Sequence, residues 1–584
     1  MFTNLLICAV FLCIRPSASR VLTTPAELSK KGYDFIIIGG GTAGSVLASR
    51  LTENKNTHVL IIEAGDTNEG VVNAMVPFLG VALPGTTLDW NFTTTNQTGL
   101  NGRSIPYARG RVLGGSSTIN LLTWNRGSND VWDRWARLTE DSGWSWKSVA
   151  KYYFKTSRLV APADGHNTTT QDIPSAHGNG SVEVSVPEFP SELDNCVIQT
   201  SQQLGGRLPF NKDLNTGNSF GFSDTATAYL NLVENWTNLD ILLLTQVTKI
   251  IQTGKEGKLK EFRGVSIAQT ASGPTYKIIA KKEVILSAGV IGTPQLLMLS
   301  GIGAKADLEK HKVSVLLDLP GVGQNLTDHP LLPNYFLVDS NQTFDAVLRD
   351  SALFGQIIGE WSTTGQGLFV DSPGNTQGFM RLPENSSIFT KVADPTAGKG
   401  SGHTEFIFVD GFAALGPLQQ PPTGNFMTIL TAVASPTSRG SVALASTNPF
   451  DKPLIDPGIL SSDFDIFAMV QSIKDAQTFI QATPWAGFVT GPFGGLATAL
   501  TDEEKASFAR TLAVTVNHPV GTASMSPSKA KWGVVDSQLL LKGAAGLRIV
   551  DASVFPVIPE CHVQALVYTV AERAADLIKS KHGC

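Results

Sequence analysis

The chain of 584 residues is short of cysteine, of charge and of long apolar runs, and each shortage excludes something. Its cysteines are Cys8, Cys13, Cys196, Cys561 and Cys584, and the first two fall in an N-terminal segment that reads as a removable leader. The three that remain close one bridge at most, and no C-x-x-C spacing is present, so neither a disulfide framework nor a bound metal is expected. Charged residues make up 16% and the net charge is -5. With no basic run interleaved with aromatics, a nucleic-acid partner and strong attraction to an anionic membrane are excluded. Beyond the leader no stretch of about 18 apolar residues occurs, so no membrane span is expected. Internal repeats, heptads and low-complexity linkers are missing too, and the polar stretches 161–170 and 385–402 read as surface loops.

What is present is the composition of a large core, with 42% apolar residues over a length that suggests two or more modules. Residues 1–19 read as a secretory signal: Leu5 to Ile14 is apolar, and Ser17-Ala18-Ser19 is a small-x-small cleavage site, although no Lys or Arg precedes the apolar stretch. Sequons at Asn91, Asn96, Asn167, Asn179, Asn235, Asn325, Asn341 and Asn385 fit secretion and N-glycosylation.

Tyr33-Asp34-Phe35-Ile36-Ile37-Ile38 has the apolar continuity of a parallel strand buried on both faces. It runs into Gly39-Gly40-Gly41-Thr42-Ala43-Gly44 and then a helical pattern from Val46 to Leu51. This is the context a G-x-G-x-x-G motif needs. Gly39 makes the tight turn, Gly41 lets the backbone approach a pyrophosphate at the helix N-terminus, and Gly44 lets the helix pack on the strand. A second strand, Val59-Leu60-Ile61-Ile62, ends in Glu63-Ala64, placing a carboxylate where an adenosine ribose would donate to it. The motif by itself does not choose between FAD and NAD.

Gly110-Arg111-Val112-Leu113-Gly114-Gly115-Ser116-Ser117-Thr118-Ile119-Asn120 resembles the first signature of the glucose-methanol-choline (GMC) oxidoreductase family. Gly289 to Gly303 resembles the second signature, with Val290 where a small residue is more usual. Gln246-Val247-Thr248, Asn517-His518-Pro519 and Pro559-Glu560-Cys561-His562-Val563-Gln564 resemble further family segments, so the likeness runs in order along the chain after Lys31. Asn101 to Ile105, Asn448 to Ile455 and Trp532 to Asp536 add a likeness to fungal aryl-alcohol oxidases and pyranose dehydrogenases.

The resemblance implies FAD as cofactor. The residues it places at FAD are Gly39, Gly41, Thr42, Ala43, Gly44, Glu63, Ala64, Arg111, Gly114, Gly115, Ser116, Asn120, Leu121, Val247, Ala288, Asp551, Ala552, Val563 and Gln564. Some pyranose dehydrogenases tether the flavin through a histidine just before the position of Asn120. Here that residue is Ile119, so non-covalent FAD is expected.

It also implies an α/β fold, α+β overall, in which a Rossmann-type FAD-binding domain is interleaved with a substrate domain built on an antiparallel sheet with flanking helices. After the signal at 1–19, the FAD domain takes 31–155, 230–325 and 510–584, and the substrate domain takes 156–229 and 326–509. A monomer is expected.

The chemistry implied is hydride transfer from an alcohol CH–OH to flavin, the alcohol being aryl, sugar or another small one, with reoxidation by oxygen or a quinone. His518 is the base and His562 positions the reacting oxygen, since a neutral imidazole is suited to taking a hydroxyl proton near neutral pH. His329, in Asp328-His329-Pro330, is assigned to scaffold near the cofactor. His58, His166, His177, His311, His403 and His582 read as structural. The alternatives are a non-redox lyase on the same fold and a catalytically impaired FAD-binding glycoprotein. The second is motivated by Gly221 to Leu230, where aryl-alcohol oxidases carry a longer polar stretch. Leu121 and Asn517 stand where those relatives place aromatics, which weakens stacking on an aryl substrate.

The leader and sequons predict a mature chain starting near Arg20 that loses mass on glycosidase treatment. An intact-mass measurement checks this, and an uncleaved, unglycosylated product would reverse it.

Overall fold

The strand Tyr33–Ile38, with five of its six residues buried, sits in the middle of the larger of the two main sheets. The computed structural model describes residues 19–189, 191–224, 227–229 and 237–584, so the signal segment up to Ala18, Asn235, and Thr225, Ala226 and Leu230 of the stretch after Gly221 lie outside the described residues. Five strands run parallel in the order Arg20–Leu22, Leu239–Leu242, Val59–Ile62, Tyr33–Ile38 and the end of Tyr276–Leu286. Leu547–Ile549 adds beside the last of these, with Leu286 opposite both Ile38 and Ile549. The first half of Tyr276–Leu286 turns outward and pairs antiparallel with Gly264–Ala268, which in turn pairs with Gln246–Ile251.

Helices cover this sheet because its strands are apolar on both faces. Thr42–Leu51 packs against the long C-terminal helix Gln564–His582, and Arg50 donates to Glu572 at 2.8 Å across that contact. The C-terminal helix runs on to His582, and its last turn brings Lys581 and His582 onto Glu283, at 2.9 and 3.0 Å.

The second sheet is antiparallel, in the order Val489–Pro492, Pro330–Val338, Phe426–Val433, Thr404–Val409, Thr376–Met380, Gly221–Asp224. The short strand Val514–Thr515 also joins it, pairing with Pro330 and Leu331. This strand comes from the C-terminal segment that the sequence assigns to the FAD domain, so the chain stitches the two sheets together at this point. Helix Asp463–Phe479 packs on Phe426–Val433, and Phe406, Phe408, Ile473 and Phe479 close a core of their own. Thr227–Tyr229 pairs with Val182–Ser185 outside both large sheets. Among the described residues no helix is long and apolar enough to cross a membrane, and Cys196, Cys561 and Cys584 are unbridged.

A buried ion pair fastens the parallel sheet to its C-terminal strand. Arg548, 1% exposed, donates from Nε and Nη2 to Glu283, which is fully enclosed, at 2.9 and 3.1 Å. The cations around it hold the Glu283 carboxyl well below the usual carboxylate range, against the opposing effect of burial. Removing one partner of such a pair leaves an uncompensated buried charge and costs about 3–5 kcal/mol. Arg548→Met should fall near the lower end, because Lys581 and His582 remain beside Glu283. Urea unfolding of the holoprotein checks this, and an unchanged midpoint would show that the pair is dispensable.

Candidate active site

The turn after Tyr33–Ile38 is built by glycine for a reason visible in distances. Gly39 has φ +97°, and a Cβ there would lie 2.4 Å from the Ser287 carbonyl oxygen. A Cβ on Gly44 would lie 2.0 Å from the Gly39 carbonyl oxygen, so only glycine lets the helix seat on the strand. The helix Thr42–Leu51 opens at Gly41 with no side-chain cap, leaving the first amides free to meet an anion. Gly41 pairs with Gly114 in a parallel bridge, which lays the loop 110–120 across the helix end. Ser116 accepts from the Gly110 amide at 3.1 Å, and Thr42 donates to Ser117 at 3.1 Å.

Glu63 is enclosed at the end of its strand, and its two oxygens accept from the amides of Gly40 and Gly65 at 2.9 and 2.8 Å. Burial raises its pKa, while those amides and Arg111 oppose the rise. The carboxylate retains lone pairs for further donors. Ala64 follows it, and Arg111 stacks over Trp90 at 5.4 Å. Val247 lies on the edge strand Gln246–Ile251. Ala288 precedes the helix Gly289–Leu299, whose first amide and Thr293 hydroxyl both donate to Asp551, at 3.0 and 2.7 Å. Ala552 follows Asp551 at the end of the same sheet. Asn120 donates to Gln564 at 2.5 Å, tying the loop to the C-terminal helix, whose N-cap is Val563. Ile119 packs in a small core with Leu83, Leu88 and Val112, while Leu121 is 40% exposed.

A second group gathers where the sheets meet. Segments 327–331 and 514–520 run antiparallel: Thr327 and Val520 exchange both backbone bonds, and the Val516 amide donates to the His329 carbonyl at 3.0 Å. Asp328, between them and fully buried, accepts from the amides of His329 and His518 at 2.8 Å each and from the Thr515 hydroxyl at 2.6 Å. Asn517 takes a left-handed φ of +64°, and Arg109 holds its carbonyl. That kink turns the chain so that the His518 ring meets His329, Nδ1 to Nδ1 at 3.1 Å. His562 arrives on the segment just before the C-terminal helix, with its amide donating to Asn125 at 2.8 Å. Its ring lies edge-on to His518 with centroids 4.6 Å apart, and its Nε2 is 2.8 Å from Glu405 on the strand Thr404–Val409.

Burial lowers the pKa of His518 well below 6.5, helped by His562, His329 and Arg109 nearby. His329 is pushed down to about 3 by burial and by His562. Both are therefore neutral imidazoles at ordinary pH.

His518 and His562, named from sequence, thus meet in space. Arg109, Asp328 and Glu405 were not legible. Glu405 lies far along the chain in a strand with no motif, and only pairing with His562 gives it meaning. Three other histidines are held elsewhere: His177 by Asp213, His403 by Asp394 and His582 by Glu283.

A nucleotide-type parallel sheet with a glycine turn, meeting a second, antiparallel sheet at a pair of imidazoles, is the architecture of a flavin-dependent oxidoreductase. The GMC oxidoreductase family model matches residues 33–331 and, in its C-terminal part, 436–571. The chain belongs to the GMC oxidoreductase family. It is 36% identical to Dehydrogenase eriK of Hericium erinaceus, over 98% of this chain and 99% of that one. It is also 36% identical to Pyranose dehydrogenase 3 of Leucoagaricus meleagris, over 94% and 93%. Among solved structures, formate oxidase superposes with a TM-score of 0.86 at 29% identity, covering 97% and 99%. A fungal aryl-alcohol oxidase does so with 0.80 at 25%, covering 95% and 100%.

FAD is the cofactor of this fold, and the residues present fit it. The uncapped helix end offers donors to a pyrophosphate, and the buried Ser287 hydroxyl and Asn517 amide oxygen have no protein partner. Gly44→Val should weaken FAD binding by about tenfold or more, because the added atoms force the helix off its strand. The ratio of visible to ultraviolet absorbance after purification reads this directly. Acid precipitation of the unaltered protein should release FAD to the supernatant, since Ile119 offers no atom for a covalent link. Flavin that stays with the precipitate would contradict this.

Proposed function

We propose that the protein oxidises an alcohol CH–OH to a carbonyl, with His518 taking the hydroxyl proton and His562 positioning the oxygen. The observation that carries this reading is the His518–His562 pair, two imidazoles 4.6 Å apart where the antiparallel sheet meets the dinucleotide sheet. FAD, when bound, supplies the two-electron acceptor for the carbon-bound hydrogen, which leaves as hydride. The protein's share is proton removal and alignment. A neutral, dry His518 is ready to accept a proton without first losing one. Glu405 fixes the ring of His562 through Nε2 and leaves Nδ1 for the substrate oxygen.

The same pair would serve a lyase, which is the second reading. Bleaching of the flavin by substrate separates the two. The intact histidine geometry argues against an impaired FAD-binding glycoprotein. Relatives named dehydrogenases support an organic acceptor such as a quinone over oxygen, and stopped-flow reoxidation with each would decide. Leu121 beside Asn120, and Asn517 before the base, favour a sugar or aliphatic alcohol over a benzylic one.

The leader and sequons support secretion as a glycoprotein. Asn96, Asn167, Asn179, Asn341 and Asn385 are exposed acceptors. The amide of Asn325 is instead committed to Ser524 and the Pro556 carbonyl, at 3.1 and 3.4 Å. Asn91 is exposed, yet its amide donates to the carbonyls of Thr86 and Asp89.

His518→Ala should slow anaerobic flavin reduction by about 10²–10⁴-fold with FAD still bound, because loss of a general base has that size. His562→Ala should slow it less if it only positions. A near-normal rate in His518→Ala would move the base to His562. As pH falls, the rate should decline only well below 6.5, where His518 at last takes up a proton. A methoxylated benzyl alcohol should reduce the flavin more slowly than sugar or aliphatic alcohols do, and the reverse order would return the chain to aryl-alcohol chemistry.

A further inference from the structure

His329 does more than fill the scaffold. We propose that it sets the tautomer of His518, holding the proton on His518 Nδ1 so that Nε2 carries the lone pair, and is thus a positioning residue for the base. This rests on the reading of His518 as the base.

Two neutral imidazoles that meet Nδ1 to Nδ1 at 3.1 Å share a single proton, so one ring donates and the other accepts. Which one donates decides whether His518 can work. If His329 donated, His518 would carry its proton on Nε2 and have no lone pair there for a substrate hydroxyl. If His518 donates, Nε2 is a base.

The reading of His518 as the base selects the second arrangement. The His518 Nδ1 faces His329 at 3.1 Å, so Nε2 is the nitrogen left for a substrate hydroxyl, and it can take a proton only while Nδ1 carries the ring's own. His329 Nδ1 is then the acceptor that holds that proton in place. His562 and Arg109 both disfavour a second positive charge there, so the pair stays neutral and shares the one proton.

Both rings are also held against rotation. Their backbone amides share Asp328 Oδ1 at 2.8 Å. The rings cross at 83° with centroids 5.3 Å apart, and Pro330 and Pro519 stiffen the chain just after each. A residue 1% exposed that served packing alone would be cheaper as an apolar side chain, since burying an imidazole sacrifices its hydration.

The test uses the FAD-bound protein with ¹⁵N-labelled histidine, the His518 resonances being identified by their loss in His518→Gln. In the unaltered protein at neutral pH, His518 Nδ1 should carry the proton and Nε2 should have the shift of an unprotonated ring nitrogen. His329→Asn places an amide oxygen near the former Nδ1 and should preserve that pattern. His329→Leu removes the acceptor, and the proton should redistribute toward Nε2. With the alcohol that reduces the flavin fastest in a panel, His329→Leu should lower the saturating rate of flavin reduction by about tenfold, the scale of one unmatched buried hydrogen bond. Half-saturation should stay within about twofold and His329→Asn should recover most of the rate, as expected when the base but not substrate binding is affected.

A proton already on His518 Nε2 in the unaltered protein would overturn the proposal, as would a His329→Leu variant that keeps full rate. If His329→Leu does not fold, the tautomer of the unaltered protein decides alone. Full activity in His518→Ala would instead overturn the identity of the base while leaving the measured tautomer intact, so the two failures are distinguishable.

Discussion

A buried carboxylate, Asp328, collects the amide protons of His329 and His518 and the hydroxyl of Thr515 within 2.8 Å. An enclosed carboxylate without donors would be costly, and burial does push its pKa upward. Three donors from two chain segments offset that cost, and in doing so they fix where those segments cross. The left-handed Asn517 follows from this, because the chain must turn sharply to return the His518 amide to the oxygen. The placement of both imidazoles, and their distance from His562, therefore depends on one acidic side chain that holds the backbone of both histidines and bonds to neither ring.

The two sheets divide the work. The parallel sheet is a rigid platform, apolar on both faces and fastened at its far end by Arg548 and Glu283. Its loops carry the dinucleotide turn and the segment 110–120. The antiparallel sheet brings His329 at the start of Pro330–Val338, His518 just after Val514–Thr515, and Glu405 on Thr404–Val409. His562 enters from the parallel side. The pair of imidazoles at the seam thus exists only when both sheets are formed and joined, and low water access there keeps His518 neutral.

Such an arrangement separates chemistry from specificity. His518, the proposed base, is set deep in the frame, while Leu121 lies exposed just past the loop 110–120. Likeness to pyranose dehydrogenases, a formate oxidase and an aryl-alcohol oxidase on one frame fits that separation. Substrate choice on this fold is a property of the loops.

The sequence by itself determined the parts whose physics is local. Apolar continuity in Tyr33–Ile38 and Val59–Ile62 marks buried parallel strands, and the spacing of Gly39, Gly41 and Gly44 is dictated by a turn and a close packing that no side chain fits. His518 and His562 were legible because each stands inside a segment with a family pattern. Tertiary structure decided the rest, since it depends on contacts between residues far apart in the chain. Glu405 on His562, Arg109 on the Asn517 carbonyl, and Asp328 under two histidines each join segments that have no local signal for one another. His329 looked like scaffold for the same reason: a histidine before a proline says nothing about the ring it will face. Only the pairing of 327–331 with 514–520 puts two Nδ1 atoms within hydrogen-bonding distance.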